Sequence, residues 1–273
     1  MAVTMAEIQH LRKMTGAGMM DCKNALNEAD GDFDKAMEII RKKGQAVAAK
    51  REDREASEGC VLAGTDGSFA AIVALQCETD FVAKNAEFVA LTQQILDAAL
   101  KHKPETLDQL LAIELSNGTV AQLITDKVGA TGEKMQLGFY EQITAPYVVS
   151  YIHMGNKLAT IVGFNKPEVD AQLAKDIAMQ VAAMNPISVT PEGIPAEVKE
   201  KELEIAREKA RESGKPENLI DRIAEGALQK FYKESTLLQQ EYVKDNKLTI
   251  GELLKKYDKD LEVVAFKRVS LNV

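Results

Sequence analysis

The stretch that most constrains this chain is Gln76-Cys77-Glu78-Thr79-Asp80-Phe81-Val82-Ala83-Lys84-Asn85, because of what flanks it. Phe69 to Leu75, just before it, is rich in Ala, Ile and Val and reads as a strand. Phe88, Leu91, Ile95 and Ala99, just after it, fall at helical spacing. Thr79 to Val82 therefore sits where a strand hands over to a helix, and an acid and a large aromatic there can point out of the fold. A plainer role stands beside this one. Thr79 or Asp80 can cap the turn and Phe81 can pack inside, and most such junctions are structural.

The strand before the junction is half of a hairpin. Thr65-Asp66-Gly67 separates two apolar runs, which is a good two-residue turn signal. Helices fit 106–115 and 119–128, the second closed by Gly129, and a strand follows from Met135 to Ile143. Residues 147–164 repeat the opening. Tyr147 to His153 and Leu158 to Phe164 read as strands around Gly155-Asn156. Asn165 with Glu168 suggests a capped helix start, and Leu173, Ile177, Val181 and Met184 face inward until Pro186 stops the helix. A helix from Ile250 to Tyr257 and a strand from Val263 to Leu271 close this half. Two related α+β modules follow from this order.

Three short helices precede the modules. Thr4 caps one over 4–15 with Ile8, Leu11 and Met14 near one face; Met20 to Asn27 is a second. A third starts after Asp30-Gly31-Asp32, turns Phe33, Ala36, Met37 and Ile40 inward, and ends at Gly44. Met19 and Met20 adjoin the Gly16-Ala17-Gly18 loop and serve either as core or as a soft surface for a partner helix. Ala46 to Glu58 reads as a polar helical linker. Late in the chain, Pro195 to Glu212 and Glu217 to Lys233 form a helical hairpin around Ser213-Gly214-Lys215-Pro216. Its seam is narrow, with Leu219, Ile223, Leu228 and Phe231 apolar.

Composition excludes several classes. The 273 residues suffice for about two domains. A net charge of −8 disfavours direct nucleic-acid binding, which needs a basic face. No apolar run reaches membrane-span length and no signal-peptide pattern opens the chain, so a cytoplasmic protein is expected. Cys22, Cys60 and Cys77 have neither paired nor metal-type spacing, which fits reduced thiols and no metal site. Phosphate-binding glycine loops, HExxH and CxxC are missing, so no cofactor is expected. The one enzyme that can be assembled uses Cys77 as nucleophile and His153 as base, with no evident third group. A binding protein is the better reading. A helical-domain adaptor without exchange activity is the alternative to the function described next.

Leu11-Arg12-Lys13-Met14-Thr15-Gly16-Ala17-Gly18-Met19-Met20-Asp21-Cys22-Lys23-Asn24-Ala25-Leu26 resembles the N-terminal signature of bacterial elongation factor Ts. Glu78-Thr79-Asp80-Phe81-Val82-Ala83-Lys84-Asn85 resembles its second signature. Ile177 to Ala183, Ser213 to Pro216 and Ile250 to Lys255 are similar to later family segments, so the likeness runs from about Ala6 to Val269. The resemblance implies an α+β fold in four parts. These are a three-helix ubiquitin-associated-like domain with linker (1–54), an N-terminal core subdomain (55–143), a C-terminal core subdomain (144–190 and 234–273) and an inserted antiparallel helical hairpin used in dimer contacts (191–233). It implies a guanine nucleotide exchange factor, not an enzyme, whose partner is elongation factor Tu in its GDP-bound and nucleotide-free forms. By the same resemblance Thr79, Asp80, Phe81 and Val82 disturb the partner's magnesium and phosphate site, and Arg12, Met19 and Met20 dock on its GTPase domain. His153 and Gly155 are further contacts. Longer family members continue past the last strand into a helical module, from which no site is carried here.

Overall fold

A computed structural model describes residues 3–271. Three helices open the chain: α1 (Met5–Thr15), α2 (Met19–Glu28) and α3 (Phe33–Lys50). Thr4 and Glu7 cap α1 reciprocally. The Thr4 hydroxyl accepts from the Glu7 N–H at 3.3 Å, and the Glu7 carboxylate accepts from the Thr4 N–H at 2.7 Å. Gly16, at φ 69°, ends it. Ile8, Leu11, Cys22, Ala25, Leu26 and Ala36 form the small core between the helices.

Gly44 does not stop α3, and the expected linker is the continuation of that helix to Lys50. Val47 and Ala48 pack on the main core. The reason is a second glycine. After β1 (Glu58–Asp66), β2 (Phe69–Cys77), α4 (Asp80–Ala83), α5 (Ala86–His102), α6 (Leu107–Leu111), β3 (Glu114–Leu115) and β4 (Gly118–Thr119) comes α7 (Val120–Thr131). Gly129 lies inside α7, which ends at Gly132 with φ 74°. A Cβ on Gly129 would stand 2.6 Å from the Gly44 Cα. Both glycines that read as stops in sequence are thus the contact where α3 crosses α7. Backbones come this close only without side chains between them. The helix expected over 106–115 is the shorter α6, followed by the small β3–β4 hairpin.

β5 (Met135–Thr144) completes an antiparallel sheet of order β1-β2-β5. The register runs from Glu58 opposite Cys77 to Asp66 opposite Phe69. Side chains alternate across a strand. Phe69, Ala71, Val73, Leu75 and Cys77 accordingly face α5 and α7, while Ala70, Ile72 and Ala74 face a second sheet. With both faces covered, every residue from Phe69 to Leu75 is buried. A fully buried Ile or Phe is worth about 1.5–3 kcal/mol over an exposed one, so β2 anchors this part of the molecule.

The second sheet contains β6 (Tyr147–Ile152), β7 (Leu158–Phe164) and, far along the chain, β10 (Val263–Ser270), in the order β10-β7-β6. Its other face carries α8 (Ala171–Met184), with Leu173, Ile177 and Val181 buried. Asp170 caps α8 by accepting from the Leu173 N–H at 2.8 Å, which replaces the start expected at Asn165. The excursion after α8 is α9 (Ala196–Glu212) and α10 (Glu217–Ser235), packed on each other. Ile220 and Ala224 are buried in the seam, Ile223, Leu228 and Phe231 only partly, and Leu219 is exposed. Ion pairs Arg207–Asp221 (2.8 Å) and Arg211–Glu217 (3.2 Å) join the two helices. The hairpin β8 (Glu241–Tyr242) and β9 (Asp245–Thr249), then α11 (Ile250–Tyr257), return the chain to β10. The core is thus four layers: helices, sheet, sheet, helices. Among the described residues, no helix is long and apolar enough to cross a membrane.

Candidate functional site

The β2–α5 junction is built from Thr79 outward. Its hydroxyl caps α4, accepting from the Val82 N–H at 3.4 Å. The carboxylate of Glu133 then holds Thr79 at two points, accepting from its hydroxyl at 2.6 Å and its N–H at 3.0 Å. Cys77 donates its thiol proton to the Thr79 carbonyl at 3.2 Å. Glu78, one residue back, accepts from the Lys134 N–H at 2.6 Å and pairs with Arg51 at 3.3 Å. The turn is therefore a fixed platform. Val82 packs onto the core, while Phe81 stands out 84% exposed. Asp80 pairs with Lys84 one turn on at 2.7 Å. The hydrogen bond from Lys84 holds the Asp80 carboxyl below its ordinary range, so it is charged at neutral pH.

An exposed aromatic on a rigid turn costs solvation and gains nothing within the chain. The plainer role for Phe81, packing inside, is thereby excluded, whereas the capping role of Thr79 is real. Sequence reasoning did not single out Glu133, Arg51 or Lys134. They lie 54, 27 and 56 residues from their partners in this turn, and nothing local marks them. Arg51 follows directly on α3, so the end of that helix touches the turn that carries Phe81.

The other signature forms a second surface. Gly18 precedes α2, which places Met19 and Met20 in its first turn. Met20 is 64% exposed, Met19 packs partly on the small core and Arg12 is exposed on α1. Arg12 and Met19 line one wall of a cleft of about 1560 Å³ between α1, the start of α2 and α3 on one side and α5 and α7 on the other. Arg41 of α3 spans the cleft, donating to the Asn117 carbonyl at 2.6 Å and pairing with Asp126 at 3.5 Å. Burial pushes the Asp126 carboxyl up, and Arg41 opposes it.

His153 and Gly155 belong to the β6–β7 turn. The Asn156 N–H donates to the His153 carbonyl at 3.1 Å, and Gly155 has φ 92°. This is the type II pattern, whose third position calls for glycine. Gly155 thus shapes the turn. His153 is exposed, and its Nδ1 shares a 3.0 Å hydrogen bond with the Tyr151 hydroxyl. The structure does not pair Cys77 with His153. Cys77 is fully buried, and burial, reinforced by Glu133, pushes its thiol up to about 12. Its hydrogen-bond partner is the Thr79 carbonyl and that of His153 is Tyr151. Among the described residues, no group of three or more His, Cys, Asp or Glu is placed to hold a metal ion.

The sequence is similar to those of known proteins. The family model described as Elongation factor TS matches residues 78–272. An Elongation factor Ts from Porphyromonas gingivalis is 64% identical over 273 residues, covering 100% of this chain and 99% of the relative. One from Azobacteroides pseudotrichonymphae is 56% identical with both chains covered in full. One from Bacteroides fragilis is 49% identical over 328 aligned positions, covering 99% of each. A match over more than half of the chain, together with relatives this similar from end to end, shows that the chain belongs to the elongation factor Ts family.

Proposed function

We propose that this member of the elongation factor Ts family is the guanine nucleotide exchange factor of elongation factor Tu. It binds the GDP form, disturbs the magnesium and phosphate site, and releases GDP so that GTP can enter. The observation that carries the mechanism is Phe81, 84% exposed at the tip of a turn held by Glu133 and Glu78. A nucleotide held by phosphate contacts and a metal is lost when the elements around them are pushed apart. Phe81 is the wedge. Asp80 is charged and fixed by Lys84, so it brings a negative charge toward an already anionic site. Thr79 and Val82 hold the wedge at its base. Arg12, Met19 and Met20 dock on the GTPase domain and hold the wedge in register.

Linkage sets the direction. A factor that binds the nucleotide-free partner most tightly weakens the nucleotide as much as the nucleotide weakens the factor. Each tenfold faster release requires about 1.4 kcal/mol off the barrier. Nothing in this scheme selects GTP; either nucleotide rebinds. The same reading takes residues 1–54 as a ubiquitin-associated-like docking domain and the two sheets as related subdomains. It takes the α9–α10 hairpin as the contact with a second copy, and the cytoplasm as the site of action.

The test is release of a fluorescent GDP from elongation factor Tu under excess unlabelled GDP. Saturable acceleration by this protein, lost in Phe81→Ala, is expected. A folded sample that leaves the release rate unchanged overturns the reading.

A further inference from the structure

The docking surface and the wedge turn belong to different parts of the fold, and one helix touches both. Met20 precedes Asp21, whose carboxylate forms an ion pair with Lys43 of α3. Further along, the C-cap residue of the same helix is Arg51. Its Nη1 donates to the two carboxylate oxygens of Glu78 at 3.4 and 3.3 Å. Glu78 leads directly into Thr79, Asp80 and Phe81. We propose that Arg51 is a positioning residue for exchange: it holds α3, and with it the docking surface at Met19 and Met20, in register with the turn that carries Phe81.

The connection between the two contacts is stiff. An α-helix rises about 1.5 Å per residue, so Lys43 and Arg51 lie about 12 Å apart along one rod. Next to Lys43, Gly44 meets Gly129 of α7 backbone to backbone, which seats the rod on the module that carries the wedge. A ring of polar contacts closes the far end. The Lys134 N–H donates to Glu78 at 2.6 Å, and the Lys134 ammonium donates to the Glu52 carbonyl at 2.7 Å. Arg51, Glu52, Glu78 and Lys134 therefore hold one another, and Arg51 supplies the ionic contact between α3 and the turn.

A wedge needs something to push against. When Phe81 enters the partner, the partner pushes back, and the turn keeps its place only as far as its supports hold it. Glu133 fixes Thr79 to its own module but does not set its distance from the docking residues. The Arg51–Glu78 pair does. Without it Met19 and Met20 still dock, but part of the docking energy goes into displacing the turn rather than into opening the partner. The loss falls on the saturated rate, while docking persists.

The inference rests on the exchange reading, and the experiment separates the two. Release of fluorescent GDP from elongation factor Tu is followed against concentration for wild type, Arg51→Gln, Arg51→Lys, Phe81→Ala and the double variant of Arg51→Gln with Phe81→Ala. Urea midpoints are measured alongside. Arg51→Gln is expected to lower the saturated rate about fivefold, the lower end of coupling between sites. Its half-saturating concentration stays within about twofold of wild type. Its urea midpoint stays close to wild type, because a partly exposed ion pair adds little to stability. Arg51→Lys, which keeps the charge, restores most of the rate. In the Phe81→Ala background Arg51→Gln has no further effect, because it acts through the wedge. Normal wild-type exchange with an unchanged saturated rate in Arg51→Gln overturns this inference alone. A loss that persists undiminished in the Phe81→Ala background does so too, since Arg51 would then act independently of the wedge. So does a loss accompanied by a lower urea midpoint, which marks a structural role. No exchange by wild type overturns the function and the inference together.

Discussion

Hairpin β1–β2 closes its tip with polar Asp66-Gly67 and sends its second strand into an exposed aromatic turn. Hairpin β6–β7 does the reverse. Its tip carries Met154, and its second strand runs into a junction tied down by polar groups. At the first tip Asp66 pairs with Lys103 at 3.3 Å, and the same ammonium lies over the Phe69 ring. At the second junction Asn165 donates to the Asp260 carbonyl and accepts from the Glu262 N–H, both at 2.9 Å, while Lys166 pairs with Asp258. The helices below differ in the same way. α5 buries Phe88, Leu91, Ile95 and Ala99. α8 buries Asp176 and Gln180 among its apolar residues, and these hold the β8–β9 segment. Two sheets of like topology thus turn different loops outward. Sheet packing fixes where loops can be, and loop chemistry decides which of them face a partner.

Removing Phe81 is the strongest way to break this contrast. If its ring supplies about 1.5–3 kcal/mol, the worth of burying such a side chain, Phe81→Ala slows saturated GDP release by about tenfold to 150-fold. Its thermal midpoint should not move, because the ring contributes little to the fold. The matching change at the second junction has the opposite signature. Asn165→Ala removes two hydrogen bonds worth about 1 kcal/mol each, so the urea midpoint falls while the exchange rate holds. A loss of exchange in Asn165→Ala would show that both junctions serve the partner.

Acid should loosen the β8–β9 segment. Burial raises the Asp176 carboxyl, but hydrogen bonds from Lys244, Tyr242 and Gln172 outweigh it and hold the group below its ordinary value. In the unfolded chain this group titrates at about 4. Its contribution to stability is therefore complete above that pH and disappears as pH falls through the lower folded value. Amide exchange of residues 241–249 should rise in that window before that of 69–77, and Asp176→Asn should abolish the pH step. The smallest effect belongs to the first tip. Asp66→Ala removes one exposed ion pair and should change stability by no more than about 0.5 kcal/mol, with exchange unchanged. That result sharpens the difference from the β6–β7 tip.

Much of this was legible in the chain. Phe69 to Leu75, the turn at Asp66-Gly67, the second hairpin and the α9–α10 pair all carry local signals: β-branched runs, turn residues and helical spacing. Two glycines misled the reading. Gly44 and Gly129 look like helix stops because sequence shows only the backbone freedom of glycine; that the two would meet 85 residues apart is a property of packing. Asn165 likewise has the residue type of a cap, but its side chain found stronger partners at Asp260 and Glu262.

The sequence by itself determined the order of the main strands and helices, the family and the identity of the residues at the β2–α5 junction, because these depend on neighbours along the chain; it did not show the short β3–β4 and β8–β9 hairpins. It left open whether Phe81 points in or out and what holds Thr79. The exposure of Met154 at the β6–β7 turn also carried no mark. Those were decided by tertiary structure. Glu133, Arg51 and Lys134 reach the junction only once α3 has crossed α7 and β5 has paired with β2. Exposure, too, is what remains after every other surface has been covered.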